Sequence, residues 1–227
     1  MATLALAVTL MGTGYAYWTD QLTISNTVST GVMNVEFVDL GAGLPIGLAG
    51  DSVGESRYLT SNINQNDAKT TTITLSNMYP GTVASYFAAF ENKGSIPAVF
   101  DNVEVNFDPL NTNQELVDNV QTIAGYFLMD KNNNQKGGNL VYVTDLDQLE
   151  TQLNNLFRGL RLEPGDYVLL DVPEEAYNKI RELAPGWEPA EGHSLHFVLP
   201  YNVDNSDNAE ETSAKFDIKI NWKQHNA

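Results

Sequence analysis

The chain has 227 residues, enough to bury a sizeable core, and it contains no cysteine, which excludes disulfide bonds and thiolate zinc sites. Its 29 Asp and Glu against 12 Lys and Arg give a formal net charge of -17, so most of its surface would repel nucleic acid and anionic membranes. With 42% hydrophobic residues it is too apolar for intrinsic disorder, and we expect a folded protein without a nucleic-acid partner.

The first sixteen residues, MATLALAVTLMGTGYA, are apolar and uncharged and predict a signal peptide. They end in a small-x-small pattern, so we expect cleavage between Ala16 and Tyr17. The first basic residue is Arg57, and we therefore expect the natural start to lie further upstream. A buried strand or helix of the core is the alternative interpretation. Cleavage would give a secreted protein without a stable membrane anchor, and it would make signal peptidase a partner during export.

Residues 17–30 predict an N-terminal strand. Leu22, Ile24 and Val28 share one face, and the residues between them are mostly polar. The segment contains no Lys or Pro that would protect an exposed sheet edge. Such a strand pairs either within its own domain or with a second copy of the chain, and the sequence leaves both arrangements open. We consider it a candidate donor strand for self-assembly.

The remaining strand predictions come from alternating apolar and polar residues. The clearest lies near the C-terminus, where Phe216, Ile218, Ile220 and Trp222 alternate with polar residues. In all, about nine short strands broken by Asn, Gly and Pro turns predict an all-β fold, a jelly-roll-like antiparallel β-sandwich. The other predicted strands are Met33–Phe37 with a bulge at Val38, Thr70–Leu75, Val83–Glu91, Val103–Phe107, Thr122–Met129, Tyr167–Val172 and Ser194–Val203.

A short helical excursion interrupts the strands, and we expect both of its helices to cover part of a sheet. The first is predicted near 145–158 from leucines at helical spacing, with Thr144 as N-cap. The second is predicted near 173–184, between Pro173 and Pro185. The intervening stretch is too short for a core of its own, so residues 31–227 are predicted to form a single domain.

Four segments resemble the TasA and camelysin family of secreted bacterial surface proteins. They are AYWTD at 16–20, ITLSNMYPG at 73–81, FENKGSI at 90–96 and the last strand, which closes with a Trp at 222. The resemblance implies a jelly-roll domain that is exported through a specialised signal peptidase and assembles outside the cell into filaments. It also implies a homopolymer, in which the N-terminal strand of one subunit completes a sheet of the next.

The residues that catalysis or metal binding would need are missing or badly spaced. The His-Glu-x-x-His pattern of zinc peptidases is absent. His193 and His196 lie three apart on a predicted strand, so they would point to opposite faces, and we expect an edge-strand pair with one ring in solvent. Asp130–Asn134 begins like a calcium loop, but Gln135 replaces the required Gly, which favours a hairpin tip. We therefore expect no catalytic residue, metal or cofactor.

The sequence thus favours a structural subunit of extracellular fibres or of a biofilm matrix. One alternative is a camelysin-like surface metallopeptidase. Another is an adhesin or carbohydrate-binding module, for which a set of aromatic residues, Tyr79, Tyr86, Trp187 and Tyr201, would line a sugar-binding face. Aromatic residues on half-buried strands more often belong to the core.

Overall fold

The computed structural model describes residues 31–37, 58–64, 66–138, 140–188, 194–203 and 212–224. Gly31–Ala227 forms one compact unit. Within the described ranges the chain forms fourteen strands, three α-helices and one 3-10 helix. The strands are β1 (Val35–Phe37), β2 (Leu59–Ile63), β3 (Thr70–Ser76), β4 (Thr82–Phe87), β5 (Ala89–Asn92), β6 (Ala98–Phe107), β7 (Gln121–Ala124), β8 (Tyr126–Met129), β9 (Gln135–Gly138), β10 (Tyr142–Asp145), β11 (Arg161–Leu162), β12 (Tyr167–Leu170), β13 (Ser194–Leu199) and β14 (Ser213–Gln224). The helices are α1 (Gln114–Asn119), the 3-10 turn Leu146–Gln148, α2 (Leu149–Leu156) and α3 (Glu174–Leu183).

Two of the three sheets join into one layer. Their strand orders are β1-β5-β12-β8-β9 and β10-β7-β13-β4. Strand β4 continues into β5 after Ala88, and β7 continues into β8 after Gly125. At these breaks the N–H groups of Leu170 and Asp171 donate to the carbonyls of Ala88 (2.9 Å) and Gly125 (3.0 Å). A side chain at Gly125 would meet the Asp171 carbonyl, so this bend requires glycine.

The second layer is the sheet β11-β6-β14-β3-β2. Its centre is β14, whose residues alternate between buried and half-buried from Ser213 to Trp222. This is the pattern of a strand with one face on a core, and it confirms the alternation predicted from the sequence. Every strand pair among the described residues is antiparallel. The fold is an all-β, jelly-roll-like antiparallel sandwich, as predicted.

The main core lies between the two layers. Phe90 of the first layer packs against Trp222 of the second and against Phe157, which follows α2. Phe100 packs against the same two rings. Helix α3 lies on the outer face of the first layer, where Ala176 and Ile180 form a second, smaller cluster with apolar residues of that layer. Both predicted helices thus pack against sheets.

Several sequence predictions differ from the structure in detail. The predicted strands Val83–Glu91 and Thr122–Met129 are each divided in two, because the layer bends at Ala88 and Gly125. Thr144 does not cap the first helix but belongs to β10, where it pairs with Thr122 of β7. Helix α1 and the short strands β2, β9, β10 and β11 were not predicted. The predicted bulge at Val38 lies outside the described residues.

Candidate assembly margin

One side of the sandwich is closed by side chains of α2. Asn154 accepts a hydrogen bond from the Val103 N–H (3.0 Å) and donates to the Val103 carbonyl (2.9 Å), and Glu150 accepts from the Val105 N–H (3.0 Å). Strand β11 pairs with only two residues of β6. The bonds from α2 supply partners for backbone groups further along the same edge of β6. Gln152 of the same helix donates to the Tyr142 carbonyl on β10. Helix α2 therefore covers the edge of β6 and also bonds to β10 of the other layer, and covering an edge is a common protection against edge-to-edge pairing.

The opposite side has no such cover among the described residues. It is formed by β2 of one layer and β4 of the other, which lie against each other at the ends of their sheets. We call these two strands, Leu59–Ile63 and Thr82–Phe87, the β2–β4 margin. Neither strand contains a charged residue or a proline. The other four strands at sheet ends each carry a charge, namely Glu36 in β1, Lys136 in β9, Asp145 in β10 and Arg161 in β11.

Strand β4 is unusual for the end of a sheet because it is buried on both faces. Ala84 and Tyr86 point into the main core, whereas Val83 belongs to the cluster under α3. Five of its six residues are buried, and Phe87 is half-buried. Edge strands are normally short, charged or covered, and β4 carries no charge and has no described strand on its second side.

The chain enters the sandwich at a point that is held by the 90–96 segment. The N–H of Ser95 donates to the Val32 carbonyl (2.7 Å), and the Ser95 hydroxyl accepts from the Val32 N–H (3.0 Å). The Gly94 N–H donates to the Asn34 carbonyl (3.1 Å). A Cβ on Gly94 would lie 2.7 Å from the Asn34 nitrogen, so only glycine allows this approach. Val32 and Asn34, among the first described residues, are therefore held firmly against Gly94 and Ser95.

Strands β4 and β5 follow each other along the chain, and we call them the β4–β5 row. The described chain begins beside the β5 end of this row, and the uncharged strand β4 forms its other end. Strand β1 is antiparallel to β5, with Val35 beside Asn92 and Phe37 beside Phe90. The chain therefore enters beside the end of β5 and runs towards β4. The β4–β5 row from Thr82 to Asn92 is roughly 30 Å long at ~3.3 Å per residue.

The structure does not describe the site residues that the sequence predicted, and the strands that it does describe at the margin were not predicted as a site. Ala16, Tyr17, Leu22, Ile24 and Val28 lie outside the described residues, so the cleavage site and the donor face stay predictions. The acceptor side, β2 and β4, was not identified from the sequence. The available signal was the run TVASYF, which combines high strand propensity with no charge and no proline.

His196 is a core residue rather than a solvated one. It lies on β13, which is an inner strand between β7 and β4, so the expectation of an edge strand was wrong. Its Nδ1 is 3.0 Å from the Ser85 hydroxyl and its Nε2 is 3.2 Å from the Ser194 hydroxyl. Burial lowers the pKa of His196 to about 3, so the ring is neutral. Its partner in the predicted pair, His193, lies outside the described residues.

The Asp130 segment is the tip of the β8–β9 hairpin, as the sequence predicted. Its carboxylate accepts from the N–H groups of Asn132 (2.8 Å) and Asn134 (2.9 Å), and Asn133 has a positive φ of 64°. The side-chain hydrogen bond from Asn134 is the main cause that lowers the pKa of Asp130. In the described part of the chain no three His, Asp or Glu residues are grouped so that they could hold a metal ion. None of the described helices is long and apolar enough to span a membrane.

Comparison of the sequence with known protein families and with curated proteins gave no match. The resemblance to TasA and camelysin therefore rests on the segments quoted for it. Two of these segments have defined structural roles. FENKGSI holds the entry of the chain, and ITLSNMYPG contains a turn between β3 and β4 in which Asn77 and Gly81 both have positive φ. Gly81 donates from its N–H to the Leu199 carbonyl at 2.8 Å.

Proposed function

We propose that the protein is a structural subunit of extracellular fibres or of a biofilm matrix and that it has no catalytic role. The N-terminal segment 17–30 of one copy pairs with the β2–β4 margin of the next copy. The observation that carries the proposal is β4, an uncharged edge strand that is buried on both faces at a margin with no described cover.

The direction of β1 favours pairing between copies over pairing within one copy. A segment that continues β1 backwards from Gly31 extends away from β4, because β1 itself runs towards β4. To reach its own margin, the segment would have to reverse and pass β1. A second copy placed end to end offers its margin without that reversal.

Such a contact is heterologous, since a segment of one subunit meets a different surface on the next. Heterologous contacts that do not close into a ring continue indefinitely and produce a filament. The net charge of -17 disfavours unspecific aggregation, so growth would depend on this specific contact.

The expected gains and costs of this association are of the same order. Each new backbone hydrogen bond contributes about 0.5–1.5 kcal/mol net. Full burial of an apolar side chain such as Leu22, Ile24 or Val28 contributes about 1.5–3 kcal/mol. These favourable contributions are opposed by the loss of translational and rotational freedom on association, which costs about 4–15 kcal/mol. Hence the full apolar face is needed, and loss of one of its members should weaken the fibre measurably.

Electron microscopy of the purified protein tests the proposal. We expect filaments, and we expect none after deletion of residues 17–30. A protein that stays monomeric at high concentration would contradict the proposal, as would filaments that survive the deletion. Hydrolysis of casein that a chelator abolishes and zinc restores would favour the peptidase alternative instead.

The absence of cysteine allows a direct test of the pairing partner. We would mix a protein carrying Ile24→Cys with one carrying Phe87→Cys, and repeat this with cysteines at 23, 25, 83 and 85 to cover the register. Disulfides form only when the two Cα atoms are about 4.4–6.8 Å apart. A mixed disulfide between the two proteins indicates pairing between copies. We would also place both cysteines of each pair in one protein. An internal disulfide in these double variants, without mixed dimers, would show that the segment pairs within its own domain.

A further inference from the structure

Four aromatic residues surround an open cleft at one end of the β2–β4 margin. Tyr58 precedes β2, Tyr79 precedes β4, Trp187 follows α3 and Tyr201 follows β13. The cleft has a volume of about 610 Å³, and the rest of its wall includes Pro80, Pro185 and Glu188. Of the aromatic residues singled out in the sequence, three lie in this cleft, whereas Tyr86 is in the core.

The rings on the β4 side are held by a tight turn. The hydroxyls of Tyr58 and Tyr79 are 3.2 Å apart, and the two rings meet edge to face at 5.8 Å. The Thr82 hydroxyl donates to the Tyr79 carbonyl (2.7 Å) and accepts from the Tyr79 N–H (3.3 Å). Tyr79 therefore stands on a fixed backbone.

The rings on the α3 side are also held. Trp187 packs edge to face against His196 (5.4 Å) and Tyr177 (5.7 Å). The Tyr201 N–H donates to the Leu183 carbonyl at 2.8 Å, which ties this residue to the end of α3. A site with rigid aromatic walls loses little side-chain entropy when it binds.

Tyr58 belongs to the main core and Trp187 is half-buried against the cluster under α3, whereas the other two rings are largely exposed. Tyr79 is 51% exposed and Tyr201 is 58% exposed. Aromatic rings combine an apolar face with, in tyrosine, a polar hydroxyl. A pyranose ring matches that combination, because its C–H groups form apolar faces and its hydroxyls lie around the rim.

The polar groups of the cleft also suit a sugar. Tyrosine hydroxyls both donate and accept, and the Glu188 carboxylate accepts, so they can meet the donors and acceptors of sugar hydroxyls. Pro80 and Pro185 have no N–H, which leaves fewer backbone donors for the carbonyls of a peptide. Glu188 is the one charged residue in the described lining, and it lies 3.5 Å from Arg181. With a net charge of -17 on the chain, an acidic polymer would be repelled.

We propose that this cleft binds a neutral carbohydrate chain, with sugar rings stacked on Tyr79, Trp187 and Tyr201. The cleft adjoins the margin, since its wall includes Thr82 and Val83 of β4, but its four aromatic residues lie outside β2 and β4. In a fibre it would give each subunit a place for a polysaccharide.

Isothermal titration calorimetry on the full chain tests this site. The probes are neutral hexasaccharides of β-linked glucose and of β-linked N-acetylglucosamine, an acidic hexasaccharide of uronic acids, and a proline-rich peptide of similar length. We expect at least one neutral hexasaccharide to bind, and we expect Tyr201→Ala and Tyr79→Ala each to weaken it at least tenfold. Tyr142→Ala is the matched control, because Tyr142 is 38% exposed on β10, outside the cleft. It should change the Kd less than twofold.

The result also separates this site from assembly. A Phe87→Lys variant, designed to block strand pairing, should bind the same hexasaccharide with unchanged affinity. Absence of binding by every neutral saccharide would overturn the proposal, and so would binding that both alanine variants leave intact. Binding of the proline-rich peptide in place of the saccharides, lost in Tyr201→Ala, would identify a peptide groove and would equally overturn it.

Discussion

The hydroxyl of Tyr86 on β4 donates a 2.8 Å hydrogen bond to Oγ1 of Thr71 on β3, and this bond joins the two layers of the sandwich. Both residues are buried. Burial raises the pKa of Tyr86 well above its ordinary value, so the hydroxyl keeps its proton and stays a donor. The bond fixes β4 against the opposite layer from within, although β4 lies at the end of its own sheet.

Tyr86→Phe removes this hydrogen bond without changing the ring. We expect the free energy of unfolding to fall by about 1–2 kcal/mol, because the Thr71 hydroxyl loses a buried partner. Urea denaturation measures the change. In a double-mutant cycle with Thr71→Val, a coupling energy near zero would contradict a direct link between the layers.

Gly94→Ala tests how firmly the entry point is held. The added methyl group meets the Val32 carbonyl, the Asn34 nitrogen and the Asn92 side chain, and we expect a loss of about 1–3 kcal/mol in stability. Gly137→Ala on β9 is the matched control, since no atom lies within 4 Å of its added Cβ. It should stay within about 0.5 kcal/mol of the unmodified protein. Equal effects of the two substitutions would show that the entry segment is not fixed by Gly94.

His196 makes stability depend on pH in the mildly acidic range. Its pKa is about 3 in the folded protein and 6.5 in the reference state, so the unfolded chain binds a proton that the folded chain does not. Its contribution to stability is full above pH 6.5 and is lost as the pH falls towards 3. Between pH 6.5 and 4.5 we expect a loss of roughly 2 kcal/mol.

Denaturation at a series of pH values checks this expectation. In His196→Gln the loss between pH 6.5 and 4.5 should largely disappear. Carboxylates such as Glu36, whose pKa is lowered chiefly by a hydrogen bond from Asn34, contribute at lower pH, because their reference value is 4.5. An unchanged pH dependence in His196→Gln would show that the neutral buried ring is not its source.

Phe87→Lys places a charge on the open edge of β4. Phe87 is half-buried, and lysine on an edge strand disfavours pairing with another strand. We expect the variant to form no filaments in electron microscopy while it stays folded by circular dichroism. The matched control is Val143→Lys on β10, at the other edge of the same sheet, where Gln152 of α2 donates to the Tyr142 carbonyl. Loss of filaments in both variants would indicate a general effect of charge.

Three strands of the second layer, β3, β6 and β14, could be predicted in whole or in part from the sequence because their information is local. Side chains alternate between two faces along a strand. The positions of Phe216, Ile218 and Ile220 therefore identify one apolar face of β14 from its own sequence, before any neighbouring strand is known. Helix α3 was predicted within a residue of its ends, since Pro173 and Pro185 limit it from both sides. The break at Gly125 did have a local mark, the glycine inside the predicted strand, whereas the break at Ala88 has none.

The amino-acid sequence by itself determined the all-β class, the two longer helices and the strands with clear alternation. Only the tertiary structure decided which strand edges stay open, because an edge is defined by the neighbours that a strand lacks. Asn154, Glu150 and Gln152 look like ordinary polar residues of a helix, yet in the fold they bond to strand backbones and close one side of the sandwich. In the described part of the chain, no helix reaches the opposite side, where β2 and β4 end their sheets.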